Sequence, residues 1–474
     1  MKKLFALIVC ALCVGLMAGC VKKEEAKVYG VDGATIYVGN TAGQEGALSA
    51  VGKPFNVGLK AALWQYNNKG GFNGANVELI NYSDGGVQAN GIANTKKLVE
   101  EDEVLAMAGH FGTDVVVGTL DYLKDENVPM IYAASGSSAL FNTNALGDDK
   151  YILPVQPIYN GEGQALLARA VATTEGGLGL GAKKVGVIYT NDETGNGLLS
   201  GVKAEAKKLG VGIIEARTEV TGDHSTAVNI MKNANCDVII LATGLASSFK
   251  EVLSYLVTGN VQGVKVVSSY SNSSATIITG DTTLYAGLMA AGIEVYTAGW
   301  LSISIPATDP NYLTSFYAPS AENAVGSFIW AGYKLFDDTL NLPTFYDYGV
   351  PGFTAEYWQV AEAIAGYCLT DSELVASAWA YTFDSYALAG YIAGATLVAG
   401  LEKVKEQGLE LTRENLVKAM EVGSVDIPMA GEISFANGSR TGVTDLALSK
   451  FDYATAAYAL YSDLLSLEEV EAGC

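Results

Sequence analysis

From residue 34 onward, short apolar runs bounded by glycine and polar residues alternate with segments whose apolar positions recur at helical spacing. Ala34 to Val38 reads as a first strand, followed by a Gly-rich loop from Gly39 to Gly52. Residues 54–68 then place Phe55, Leu59, Ala62 and Tyr66 on one helical face. Lys69-Gly70-Gly71 stops that helix, because glycine readily takes the left-handed cap conformation. Strands are expected at Val77–Tyr82, Val104–Ala108 and Pro129–Ala133, with helices over 88–101 and 115–125 between them. The pattern restarts past residue 180. Strands at Val185–Tyr189, Val211–Ala216, Val238–Ala242 and Val264–Ser268 alternate with helices over 196–209, 225–235 and 246–257. Two successive runs of this kind predict an α/β fold of two doubly wound, Rossmann-like lobes with mostly parallel sheets. In such sheets ligands bind beyond the carboxyl ends of the strands, and two such lobes can close on each other over a ligand.

Two apolar stretches fall outside that alternation. Residues 4–19 follow the basic start Met1-Lys2-Lys3 and are too short for a spanning helix, so they read as a signal peptide. The run ends in Leu16-Met17-Ala18-Gly19-Cys20, which resembles a bacterial lipobox. That resemblance implies cleavage before Cys20 and a lipid anchor on its thiol; an ordinary signal peptide with an incidental cysteine is the alternative. Buried acyl chains, at about 0.8 kcal/mol per methylene, would hold the protein on the membrane without spanning it. Residues 21–31 are charged and read as a tether. The second stretch, residues 386–400, is apolar enough to suggest a membrane helix but is short and Gly-rich, and reads as a packed core helix.

Composition narrows the function classes. With 49% hydrophobic and 17% charged residues over 474 positions, wholesale disorder is excluded. The formal charge of −22 becomes −24 once Lys2 and Lys3 leave with the signal, and this balance argues against a nucleic-acid partner. His110 and His224 are the only histidines, which removes a His-rich metal site and leaves little room for His-based acid–base catalysis. Cys10, Cys13 and Cys20 belong to the signal and anchor, leaving Cys236, Cys368 and Cys474 without metal spacing. Cys236 is expected as a buried free thiol. An NAD-dependent enzyme would also use doubly wound sheets. However, Gly39 to Gly46 reads GNTAGQEG rather than GxGxxG, and Gly177 to Gly181 follows no strand. No P-loop, GxSxG, HExxH or EF-hand pattern occurs. The reading is therefore a non-enzyme with no cofactor and no metal.

Several stretches carry a family resemblance in order and spacing: Val38 to Gly43, Tyr66 to Gly74, Gly109 to Thr113, Pro129 to Gly136, Leu411 to Val417, and Gly431 to Phe435 with Asn437-Gly438. Together they resemble the type I periplasmic-binding proteins, in particular the branched-chain amino-acid receptors of ABC transporters. The resemblance implies two α/β lobes joined by a multi-segment hinge. Lobe one would comprise residues 34–153 and 298–442, and lobe two 154–297 and 443–474, after a signal peptide (1–19) and a lipidated tether (20–33). It further implies a lipoprotein outside the cytoplasm that captures a small carboxylate-bearing ligand, an amino acid being the leading candidate, and delivers it to an ABC permease. A lipoprotein that senses the same ligand and docks on a signalling receptor would use the same cleft.

Candidate ligand-binding residues follow from physics and from the resemblance. Thr113 stands at a helix start, where free backbone N–H groups and its hydroxyl suit a carboxylate. Asp114 is a candidate beside it, with plain helix capping as the competing reading. By resemblance, the loop Ala134, Ser135, Gly136 and Ser137 supplies backbone and hydroxyl groups to the ligand. In lobe two the chain departs from the amino-acid receptors. Thr194 and Leu245 replace aromatics, and Tyr270 stands where an acid often meets the ligand's ammonium. Gly86 and Gly112 occupy positions where some receptors carry two bridged cysteines. Residues 300–372 exceed the family pattern. Between Tyr296 and Tyr391 lie 21 of the chain's aromatics, including Trp300, Trp330, Trp358 and Trp379, which reads as an enlarged lobe-one core, or else as an aromatic cover over the cleft or a permease-docking surface.

Overall fold

The computed structural model describes residues 29–45, 49–303, 354–382 and 384–474. Cys20 with the whole signal segment, and the aromatic stretch 304–353 with Trp330, lie outside the described residues. A first sheet collects β1 (Val31–Asp32), β2 (Thr35–Thr41), β3 (Asn76–Tyr82), β4 (Met107–Ala108), β5 (Met130–Ile131) and β6 (Ile152–Leu153). Its connections hold α1 (Ser49–Asn68), α2 (Gln88–Glu100) and α3 (Thr113–Asp125). After α4 (Tyr159–Val171), a second sheet collects β7 (Val185–Thr190), β8 (Ile213–Thr218), β9 (Val238–Ala242), β10 (Lys265–Ser268) and β11 (Glu294–Gly299). These are connected by α5 (Glu193–Leu209), α6 (Ser225–Ala234), α7 (Ala246–Thr258), α8 (Thr276–Thr279) and α9 (Thr282–Ala291). The chain then packs α10 (Ala355–Leu369), α11 (Ala378–Thr382) and α12 (Ser385–Glu406) on the first unit, followed by α13 (Arg413–Met420) and the hairpin of β12 (Ser424–Ile427) with β13 (Gly431–Ser434). It crosses once more to add β14 (Leu446–Asp452), β15 (Ala457–Leu465) and the short α14 (Leu467–Glu471) to the second.

Both sheets have the same parallel order. The first runs β3-β2-β4-β5-β6, with β1 antiparallel at the start of β2, and the second runs β8-β7-β9-β10-β11. Each is the doubly wound order in which the strand sequence reverses direction between the first and third strands, so each has a switch-point crevice at its carboxyl edge. The second sheet continues antiparallel through β14 and β15. β9, with all five residues buried, is the continuous apolar strand expected of a sheet covered on both faces.

Strands β4 and β5 are two residues long, not the five expected for each. Gly109 (φ 62) and Tyr132 (φ 56) turn left-handed immediately after them and take the chain out of the ladder. α1 begins at Ser49, ahead of the expected start at Pro54. Pro54 forfeits one helical N–H, while Gly52 packs on the first sheet's loop so closely that a Cβ would stand 2.3 Å from the Gly43 carbonyl oxygen. The cysteines Cys236, Cys368 and Cys474 are free; Cys236 is only half-buried, because it lies at the exposed lead-in to β9 rather than within it.

The apolar helix α12 satisfies the length and hydropathy of a membrane span, yet most of it is buried inside the first unit. Its partner is α1, and glycine permits the contact. A Cβ at Gly58 would lie 1.8 Å from the Ala387 carbonyl oxygen, and one at Gly390 would lie 1.8 Å from that of Phe55. Gly394 faces Ala62 and Leu59 in the same way. The two helices thus meet backbone to backbone. Gly390→Leu is expected to destabilise the protein by at least about 2–3 kcal/mol, read as a lowered urea midpoint; an unchanged midpoint would show that the helices separate at no cost.

Candidate functional site

The carboxyl ends of the two sheets face each other across the segments that join the units. On the first side, α3 begins at Thr113 after Gly112 (φ 94, ψ 127), which has no side chain to cap it. The first-turn N–H groups therefore lack a side-chain acceptor, and the positive end of the helix dipole points into the cleft. The Thr113 hydroxyl accepts a hydrogen bond from Ser135 Oγ at 3.0 Å. It also lies 3.5 Å from the hydroxyl of Tyr159, at the start of α4 on the other side. Ser135 Oγ accepts from the Ser137 N–H, and Ser137 Oγ in turn donates to Glu193 Oε1 at 2.7 Å, bridging the two units. The Gly136 carbonyl accepts from the Tyr159 N–H at 2.7 Å, and a Cβ at Gly136 would stand 2.5 Å from the Tyr159 ring. Thr194, in the first turn of α5 on the second unit, lies close to the Tyr159 hydroxyl. Gly244 closes behind it, with room for no Cβ nearer than 2.6 Å to the Thr194 methyl.

Thr113, Ser135, Gly136, Ser137 and Thr194 thus come together around Tyr159. The other candidates sit differently. Ala134 is half-buried, and its N–H and C=O are engaged with His110 O and Gly112 N, so it forms wall rather than an open amide. Asp114 is exposed in the first turn of α3, and its carbonyl accepts from Gln88. Leu245 is 46% exposed at the start of α7, with its carbonyl closing the first helical turn. Tyr270 follows β10; its hydroxyl accepts from Gln156 Nε2 at 2.8 Å, in the first crossing segment. Gly86 (φ 77) and Gly112 both sit in the left-handed region, so a cysteine at either would be strained.

Two buried titratable groups flank this cluster, each shifted by burial toward its uncharged form. His110 packs on Thr119 Oγ1 at 3.0 Å, and burial pushes its imidazole down to about 3, so it brings no charge to an anion. Glu162, one helical turn beyond Tyr159, is fully buried, and its oxygens accept from Ser269 Oγ at 2.9 Å and the Tyr270 N–H at 2.8 Å. Burial outweighs both hydrogen bonds and pushes its carboxyl up to about 7. The pattern reading overlooked Tyr159, Glu162 and Gln156. The available signal was the pair Tyr159 and Glu162, spaced for one helix face ahead of the apolar run 165–168.

Comparison with known proteins agrees with this geometry. The model of the periplasmic binding protein family matches residues 35–378, and the chain belongs to that family. Within it, the chain is a type I protein of the branched-chain amino-acid group, so it is extracytoplasmic by kind and its relatives are substrate-binding proteins. An amino acid binding protein of Pseudomonas aeruginosa is 24% identical over 248 residues, covering 50% of this chain and 59% of that one. A Leu/Ile/Val-binding protein homolog of Brucella abortus is 34% identical over 102 residues, or 22% of this chain and 27% of that one. The match therefore spans less than two thirds of these curated relatives. A fatty acid ABC transporter substrate-binding protein from Thermomonospora curvata shares the fold with a TM-score of 0.63 at 17% identity, covering 94% of this chain and 96% of that chain. A branched-chain amino acid ABC transporter protein from Thermus thermophilus, solved with valine, has a TM-score of 0.62 at 14% identity, covering 94% and 100%.

Glu162 yields a pH prediction with a definite sign. Its folded-state carboxyl titrates above that of the unfolded chain, so its contribution is complete below about pH 4.5 and is lost as pH rises through about 7. The difference corresponds to about 3 kcal/mol. Glu162→Gln keeps an acceptor for Tyr270 N–H and a donor for Ser269, and should raise the melting temperature at pH 8 relative to wild type. The gain should vanish near pH 4.5; a gain independent of pH would rule out titration of Glu162 as its source.

Proposed function

We propose that this protein is the substrate-binding component of an ABC importer. It captures a small carboxylate-bearing ligand between its two lobes and presents it to a membrane permease, with an amino acid as the first candidate. The observation that carries this reading is the meeting of hydroxyls from both lobes, Thr113 and Ser135 with Tyr159 and Thr194, at the open N-terminus of α3. Helix N-terminal amides and hydroxyl donors are the groups a carboxylate requires. Because the donors come from both lobes, the ligand itself stabilises the closed form. The lobe boundaries proposed are 34–153 with 298–442, and 154–297 with 443–474. The names of the similar proteins support amino-acid and acyl carboxylates alike as ligands for this cleft.

The test is a thermal-shift screen of the chain from residue 21 onward against leucine, other amino acids, fatty acids and aromatic acids. At least one carboxylate should raise the melting temperature by mass action. Thr113→Ala should weaken that ligand roughly tenfold, the effect of one hydrogen bond to a charged group, without lowering the melting temperature of the free protein. Unchanged affinity would remove Thr113 from the site. For the proposed anchor, Cys20→Ser should move the protein from the membrane fraction to the soluble fraction; retention on membranes would refute a lipid at Cys20.

A further inference from the structure

The short helix α14 is held by a small apolar contact with two carboxyls at its edge. Val470 is buried against Ala168 and Ala172 at the end of α4, with Leu178, Leu465 and Leu467 around it. The Thr173 N–H donates to the Gly473 carbonyl at 2.8 Å. A core of three buried residues supplies little docking energy, so polar groups at its edge weigh on whether α14 stays in place.

One of those groups is a carboxyl with no exposure. Glu205, near the end of α5, is 0% exposed. Its Oε2 is 3.5 Å from Gln164 Nε2 of α4, the long limit of a hydrogen bond, and its Oε1 has no partner among the described residues. Beside it on α14 stands a second carboxyl, Glu471. Lys208, one turn further along α5 and more than half exposed, pairs with Glu471. Glu468 also faces that ammonium, while Glu469 is taken by Ser466 and faces Arg169. Cys474 Sγ lies against the carbonyls of Ala168 and Val470, and burial pushes its thiol up, so it brings no charge. A buried carboxylate with one weak neutral donor and a like charge beside it is costly. A proton on the pair removes that cost and supplies a donor between the two carboxyls. Burial first, and then Glu471, raise the Glu205 carboxyl to about 6, while Lys208 and Gln164 pull it down by less.

We propose that Glu205 and Glu471 form a proton-dependent clasp: they share one proton while α14 is docked on α4 and α5, and α14 loosens when that proton passes to solvent. Undocked, Glu205 is solvated and titrates in the ordinary carboxyl range. Docking is therefore fully supported below about pH 4.5 and loses that support as pH rises through about 6. The first turns of α4 and α5 carry Tyr159 and Thr194 to the cleft, so the clasp sits toward the far ends of the two helices that build the second lobe's side of the site. Being extracytoplasmic by kind, the protein meets the pH of its surroundings directly.

Amide hydrogen exchange over residues 466–474 at pH 5 and pH 8, with no ligand added and rates corrected for intrinsic exchange, tests it. In the wild-type protein, protection of this segment should fall roughly tenfold between the two pH values. Glu205→Gln keeps the side chain's shape and offers an amide donor to Glu471, so it should hold its pH 5 protection at pH 8. Equal wild-type protection at both pH values overturns the clasp before any variant is made. A fall of the same size in Glu205→Gln also overturns it, since Glu468, Cys474 or the buried Glu162 would then be its source. Lys208→Ala, a change at an exposed position, keeps the question open to test if Glu205→Gln does not fold. It should lower protection more at pH 8, where the pair carries two charges, than at pH 5. An equal loss at both overturns the proposal.

Discussion

The structure depends on one close approach, that of α1 to α12. These helices come from chain stretches more than 300 residues apart, and they meet at Gly58, Gly390 and Gly394 with no side chain between their backbones. Dispersion contacts at that distance are dense, and no other residue type leaves the space. Because the first lobe is closed by a late helix, the chain must leave it, build the second lobe, return, and leave again. The crossings therefore run side by side. Val443 N–H donates to Val155 O at 2.7 Å, and Gly442 takes φ 69 with its α-carbon pressed on the Gln156 carbonyl. The buried apolar core runs on from the first unit into the second past these crossings, through Val155 and Val443.

The cleft follows from how the strands end. β4 and β5 stop after two residues because Gly109 and Tyr132 turn left-handed, and each stop delivers a loop of hydroxyls to the switch-point crevice. The donors there are hydroxyls and a helix terminus, with the Glu193 carboxyl accepting from Ser137, in a protein of net charge −22. The two are compatible because distant surface charge is screened over about 8 Å at physiological ionic strength, whereas donors in a closed cleft act at hydrogen-bond range. His110 and Glu162, the titratable groups packed behind the cluster, are displaced from their usual ranges by burial. Burial at the floor of the cleft therefore shifts both groups toward their uncharged forms.

Long-range polar anchors fix the late segments onto this frame. Arg169 of α4 is almost wholly buried and donates to the carbonyls of Leu446 and Asp463, holding the added strands β14 and β15. Arg440, equally buried, donates to Phe435, Ser439 and Lys150 carbonyls and pairs with Glu421 at the last crossing. Each guanidinium offers five donors in a rigid fork, so a single side chain satisfies several carbonyls that loops would otherwise bury unpaired.

By itself, the sequence determined the two doubly wound units and most of their elements. Apolar runs such as Val238 to Ala242 and helical spacing such as Phe55, Leu59 and Ala62 are local signals, and local geometry reads them directly. It also identified Thr113 as a helix start and residues 386–400 as core. Tertiary structure decided what depends on distant partners. The lengths of β4 and β5 were set by left-handed turns that hydrophobicity does not encode, and the half-buried state of Cys236 by its position before β9 rather than within it. Tyr159, Glu162 and Tyr132 are unremarkable in the linear pattern. Their surroundings are set only when α4 carries Tyr159 across to Thr113, and when Phe55 and Trp300, from distant elements, pack around Tyr132.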